Sequence, residues 1–264
     1  VVLFETPTQH KFVDILVRGL GLHGPSLAIG AAIAAAAIMG VFYVIDGGSQ
    51  EAIYNVSDIE QSDAEKEISV GREPSQEVSL AILYDNASPY LGNEDAPVTI
   101  VEFGDYQCFF CNKFFHDTEG QIYENYIKTG KARMLFKDFT IIGQDSVTAA
   151  HAAHCAEEQG KFWEYHDMLY NNWTGENNGW ASLESQYGFA NELGLDATEF
   201  RECMESGRHN ALIQASTNDA QKLGLGGTPA FFIIGEDNTV VRIPGAQPYD
   251  VFVSVLESPE ITGN

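Results

Sequence analysis

The chain has 264 residues and sets 38 Asp and Glu against 14 Lys and Arg, a formal net charge of −24. That length admits one large domain or two small ones, and a hydrophobic content of 44% is normal for a globular chain and excludes pervasive disorder. So acidic a surface repels phosphate backbones, which argues against a nucleic-acid partner and suits solubility in a salty or extracellular medium.

The N-terminal quarter reads as a membrane anchor. No charged residue occurs from 19 to 45, and 27–45 is nearly all apolar. As a helix that run spans roughly 28 Å, close to the thickness of a bilayer core. Pro25 and Ser26 suit a helix start, and Asp46-Gly47-Gly48 stops it. A cleaved secretory signal is the alternative, but no small-x-small site follows the apolar run. Lys11 and Arg18 precede the span, whereas only acidic charges follow it until Lys66. This bias predicts a cytoplasmic segment 1–24, a single transmembrane helix 25–45, and everything beyond outside the cell membrane. Residues 46–77 are polar and acidic with no sustained period, as expected of a solvated tether. Asn55-Val56-Ser57, Asn86-Ala87-Ser88 and Asn172-Trp173-Thr174 are glycosylation sequons that an outside location makes usable.

The outer part, 78–258, reads as one α/β domain. Residues 78–84 (V-S-L-A-I-L-Y) are expected to form a short strand, followed by a turn-rich stretch to Pro97. The run V-T-I-V-E-F at 98–103 predicts a strand buried on both faces. A loop at 104–107 leads into a helix over about 108–129, and 132–139 gives the next strand. Strand, helix and strand in that order imply a parallel pair. Residues 146–223 then hold only helical stretches, at 146–159, 161–170, 183–193, 197–206 and 211–223, punctuated by Gly160, Gly194, Gly207 and Gly224. Strands at 230–234 and 239–243 form a hairpin around Glu236-Asp237-Asn238, and a helix at 249–257 closes the domain. The order is β-β-α-β, a helical insertion, then β-β-α. The aromatic cluster Phe162, Trp163, Tyr165 and His166 in the insertion is expected in a core.

Cys108-Phe109-Phe110-Cys111 falls where the buried strand hands over to a helix. Cysteines at i and i+3 across a first helical turn have Cα atoms about 5–6 Å apart, within disulfide range. Cys108 faces the unpaired amides and positive dipole end of the helix, which stabilise a thiolate and raise nucleophilicity. Cys111, one turn deeper, is placed to attack a mixed disulfide at Cys108. The alternatives are an inert crosslink, or half a zinc site with His151, His154 and Cys155 as further ligands. A zinc ribbon, however, sets its CxxC between short antiparallel strands. Glu102, mid-strand on the face of Val98 and Ile100, would be desolvated, with a raised pKa and the capacity to exchange protons with Cys111. The alternative is a Glu at a sheet edge bonded to a lysine such as Lys137.

Three stretches, V-T-I-V-E-F-G-D-Y-Q-C-F-F-C, E-E-Q-G-K-F-W-E-Y-H-D and G-G-T-P-A-F-F-I, resemble the DsbA-like thiol:disulfide oxidoreductases over roughly 90–258. The resemblance implies a thioredoxin-like fold with a helical insertion at about 142–224. It makes Thr228-Pro229 the cis-proline site whose Thr228 backbone pairs with an extended substrate, and it often places an acid at position 102. Relatives often carry a second bridge, and in an oxidising compartment the remaining Cys155 and Cys203 pair; such a bridge contributes about 3–4 kcal/mol in the chain-entropy model. Expected partners are exported clients with free thiols and a quinone-linked membrane re-oxidase of the DsbB or vitamin K epoxide reductase type. No metal or organic cofactor is required. One departure is plain: many strongly oxidising relatives have a histidine between the cysteines, where this chain has Phe109 and Phe110. The pair is expected to form an apolar rim that receives unfolded clients, with ordinary packing as the alternative. The reading is a membrane-anchored enzyme that introduces disulfides into exported proteins. Its rivals are a reductase or isomerase, and a non-catalytic thioredoxin-like subunit or copper-handling module of a membrane complex.

Overall fold

A computed structural model describes residues 79–263. The expected cytoplasmic segment 1–24, transmembrane helix 25–45 and tether 46–77, with the sequon at Asn55, lie outside the described residues. Among the described residues no helix is long and apolar enough to cross a membrane.

Strand β1 (Val98–Gly104) is buried along its whole length, which its β-branched run dictates once both neighbours and both faces are covered. It pairs in parallel with β2 (Ala132–Asp138) and antiparallel with β3 (Ala230–Ile234), which pairs antiparallel with β4 (Val240–Pro244). The order is β2-β1-β3-β4. Alternate side chains of β1 serve two cores. Val98 and Ile100 join Phe231, Ile233 and Phe252 on one face, while Val101 and Phe103 join Leu135, Phe232, Ile234 and Ala220 on the other.

Between β1 and β2 runs one helical course: α2 (Phe109–Phe114), a π turn at Phe115–Glu119, α3 (Gly120–Ile122) and a second π turn at Tyr123–Ile127. The insertion follows as α4 (Gln144–Glu157), α5 (Phe162–Asn171), α6 (Leu183–Glu192), α7 (Ala197–Ser206) and α8 (Asn210–Lys222). Gly207 ends α7 with φ 63, a left-handed conformation that glycine adopts without steric cost. Helix α9 (Tyr249–Leu256) packs on the sheet, and the short α10 (Pro259–Thr262) extends beyond the expected end.

One expectation is corrected. The strand expected at 78–84 does not form over its described residues; Leu80–Tyr84 is helix α1. A short apolar run fits either state by periodicity alone, and here tertiary bonds decide. Lys137 Nζ donates to Ile82 O at 2.9 Å, to Asp219 Oδ2 at 3.1 Å and to Asp85 O, so a wholly buried ammonium ties the end of α1 to β2 and α8. The place beside β2 is taken instead by the turn-rich stretch. Ser88 N donates to Phe136 O at 2.9 Å, and Leu91 and Met134 exchange backbone bonds at 2.9 and 3.0 Å.

Candidate active site

The loop between β1 and α2 is held from several directions. Asp105 Oδ1 accepts from Gln107 N at 2.9 Å, and its Oδ2 accepts from Ile141 N and Ile142 N at 2.8 and 3.0 Å. Gln107 donates to Ser146 Oγ at 3.1 Å, while its own side-chain and backbone oxygens accept from Asn177 N and from the Trp173 indole, both at 2.8 Å. Sheet and insertion thus clamp the segment that delivers Cys108.

Cys108 is the N-cap of α2, so its side chain stands over the first helical amides. It is a free thiol, 5% exposed, and Cys111 is free and wholly buried. The Cys108 thiol falls to about 6: the hydrogen bond from Cys111 favours the thiolate most, burial opposes it, and the Thr228 side chain with the Cys111 and Phe110 amides adds to the stabilisation. Cys111 moves the other way, well above the ordinary thiol value, through burial, the bond it gives to Cys108, and the charges of Cys108 and Glu102. One turn of helix thus separates a sulfur that ionises readily from one that holds its proton.

The Thr228–Pro229 peptide bond is cis. Cys108 Sγ donates to Thr228 O at 3.4 Å across a separation of 120 residues, so the β3 approach and the α2 start meet at that sulfur. Phe109 and Phe110 are 51% and 56% exposed, in edge-to-face contact at 5.3 Å, with Trp173 5.9 Å from Phe109. Ordinary core packing is therefore not their state.

Glu102 lies on the central strand opposite Phe136 and Phe231, is wholly buried, and neither carboxyl oxygen has a hydrogen-bond partner. Burial, and secondarily the Cys108 charge, push its pKa well above the usual carboxylate range. The edge-and-lysine alternative does not hold, since Lys137 is committed to Asp219 and two carbonyls. Cys155 and Cys203 form a disulfide between α4 and α7. Among the described residues, no close group of metal-ligating side chains includes Cys108 or Cys111; His151 and Cys155 fall in one such group with Cys203.

Several residues at the site carry no local sequence signal. Glu176 Oε1 accepts the Phe109 backbone N–H at 3.0 Å, placing a carboxylate at the mouth of α2. Glu119 is buried, with a pKa raised to about 8 by desolvation and by the Glu102 and Asp167 charges against the opposing pull of His166. Tyr106, Tyr170 and His166 make an aromatic wall beneath the cysteines, with Tyr106 and Tyr170 5.3 Å apart and each close to the His166 ring. The Asn86 and Asn172 amides are engaged with Asp219 and Met168.

A central sheet with flanking helices, a dithiol at the start of a helix and a cis-proline against its first sulfur together define the class: a thioredoxin-fold dithiol protein. A thioredoxin family model matches residues 85–248. A Bacillus anthracis protein assigned as disulfide bond formation protein D is 30% identical over 149 residues, 55% of this chain and 69% of that one. The crystal structure of oxidised BdbD from Bacillus subtilis is 25% identical, with a TM-score of 0.59 over 66% of this chain and 92% of that one. A thioredoxin-like oxidoreductase from Silicibacter pomeroyi is 30% identical, with a TM-score of 0.56 over 68% and 96%. The chain belongs to the thioredoxin family, in its DsbA-type branch with a helical insertion, and is a thiol:disulfide oxidoreductase.

Proposed function

We propose that this enzyme introduces disulfides into exported proteins from an extracytoplasmic position, held to the cell membrane by the apolar segment 25–45 and spaced from it by the acidic tether. The opposite proton affinities of Cys108 and Cys111 carry this reading. A client thiolate attacks Cys108 Sγ of the oxidised pair, the Cys108–Cys111 bond breaks, and Cys111 leaves as a thiolate. Buried Cys111 then takes a proton, for which Glu102 is the donor. A second client thiol loses its proton to solvent and attacks the client sulfur bonded to Cys108; the client disulfide forms as that bond breaks, and the client leaves oxidised. Cys108 leaves as a thiolate, the form its surroundings favour, which speeds departure. Thr228 O, beside Cys108, is the acceptor offered to an extended client backbone, and Phe109 and Phe110 form an apolar rim for unfolded chains.

The electrons then pass to a re-oxidising partner, a quinone-linked membrane enzyme of the DsbB or vitamin K epoxide reductase type. The reductase or isomerase alternative draws on Phe109 and Phe110, which cannot donate to the thiolate as a histidine would. Equilibration with glutathione decides the direction, and a strongly reducing potential removes the oxidase reading. The mechanism is tested by Cys111→Ala, whose Cys108 thiolate should attack client disulfides, the reverse of client release, and hold the clients as mixed disulfides that no second thiol resolves; an empty trap contradicts Cys108 as the exchanging sulfur.

A further inference from the structure

The Cys155–Cys203 bridge sits among more metal ligands than a crosslink requires. Cys155 and Cys203 lie on α4 and α7 with Cα atoms 5.7 Å apart. His151 precedes Cys155 by one helical turn and so shares its face. A nitrogen of His151 and the two sulfurs lie within 4.8 Å of one another. His151 is 5% exposed, and its buried Nε2 has no hydrogen-bond partner, which buried polar atoms rarely tolerate.

A second group shares the Cys203 sulfur. Glu158, Cys203 and His209 also place ligand atoms within 4.8 Å of one another, with Cys203 Sγ 3.8 Å from Glu158 Oε1. His209 Nε2 lies 2.8 Å from that same oxygen, and Arg208 Nε donates to it at 2.6 Å. The His151 and His209 rings are 5.7 Å apart, so both groups converge on one point between α4, α7 and the start of α8.

We infer that reducing the Cys155–Cys203 bridge opens a zinc site built from His151, Cys155, Cys203 and Glu158. Two thiolates, one imidazole and one carboxylate make a four-coordinate set, and the thiolates select zinc over magnesium or calcium. Zn–S and Zn–N bonds of about 2.3 and 2.0 Å set tetrahedral neighbours roughly 3.3–3.8 Å apart. Within each of the two groups the ligand atoms already lie within 4.8 Å of one another, and because the groups share Cys203, side-chain movements bring Glu158 to the other three while the two sulfurs draw apart. Arg208 and His209 hold the Glu158 carboxylate in place. The electrons balance: a dithiol gives two electrons and two protons to the S–S bond and becomes a disulfide itself, and Zn²⁺ then displaces the two thiol protons to solvent. Metal thus keeps α4 and α7 pinned under conditions that cut the covalent link.

The test uses the full chain carrying C108S and C111S, so that the remaining thiols are Cys155 and Cys203. After reduction with a phosphine, Co²⁺ is titrated as a spectroscopic stand-in for zinc. One equivalent should bind with a thiolate-to-cobalt charge-transfer band and tetrahedral visible bands, and zinc should displace it. His151→Gln should weaken binding by about tenfold or more, whereas His151→Cys, which restores a ligand, should retain it. Further replacement of Cys155 and Cys203 by serine should abolish the band. A folded, reduced chain without the thiolate–cobalt band overturns the inference, as does a His151→Gln chain of unchanged affinity. Should reduction unfold the chain by circular dichroism, recovery of the folded spectrum on adding zinc supports the site, and failure to recover overturns it.

Discussion

Glu176 accepts the Phe109 backbone N–H at 3.0 Å, so a carboxylate from the insertion occupies the first free amide of the helix that Cys108 caps. Such an amide otherwise serves the sulfur, and a negative charge at a helix start offsets part of the dipole's positive potential. Glu176→Gln should therefore lower the Cys108 pKa further. For an exposed charge worth about 0.3–1 kcal/mol the fall is roughly 0.2–0.7 units. Thiolate ultraviolet absorbance against pH measures it, and a rise instead would show that Glu176 acts through geometry rather than charge.

The lowered Cys108 pKa makes the stability of the two redox forms diverge with pH. The thiol stands at about 6 in the fold against 9.0 for an ordinary one. A depressed folded-state value contributes stability that is fully present above the unfolded pKa and is lost as pH falls through the folded one. The oxidised form has no titrating thiol at this position. The dithiol form should therefore gain on the disulfide form by about 2–4 kcal/mol between pH 6 and pH 9, and the gain should vanish below pH 6. Denaturant unfolding of both forms across that window checks it, because terms common to both, such as Glu102, largely cancel.

Glu102 has the opposite sign. Its raised pKa means that its contribution is intact below the ordinary carboxylate value and is lost as pH rises, because the unfolded chain ionises while the buried acid holds its proton. Glu102→Leu should stabilise the protein by about 1–3 kcal/mol near pH 4, where the neutral carboxyl is buried without a partner, and by more at pH 8, where the unfolded parent also gains from ionising. The same variant should slow attack by Cys111 on a mixed disulfide. Parallel stability curves for the variant and the parent would contradict the burial argument.

Lys137 is wholly buried and paired with Asp219 at 3.1 Å. Lys137→Met leaves Asp219 and two carbonyls without their donor and should cost about 3–5 kcal/mol. Replacing Asp219 by leucine in the same chain should recover part of the loss. Hydrogen exchange in α1 should rise first, since the ammonium holds the end of that helix.

A net charge of −24 repels itself in the compact state, and added salt screens it over about 10 Å at 0.1 M. The melting temperature should rise with sodium chloride. A flat response would mean that local ion pairs already neutralise the repulsion.

Much of this architecture is written locally. The buried run of β1, the hairpin of β3 and β4, and the glycine-punctuated helices follow from periodicity and breakers, and Cys108 to Cys111 announce themselves by spacing. The expected strand at 78–84 misled because the five residues of α1, L-A-I-L-Y, carry no period of their own, and a lysine more than 50 positions away settles their state. Glu176 and Glu119 escaped for the same reason. A lone acid in a polar loop or on a helix acquires meaning only when folding brings Phe109 or His166 beside it.

The strip formed by Ser88 and Leu91 along β2 bears on traffic at the enzyme's flank. An unfolded polypeptide arrives with unsatisfied amides and carbonyls, and any bare strand border is a template onto which it can zip. With that border already occupied by the chain's own backbone, visiting chains lose one place to stick unproductively.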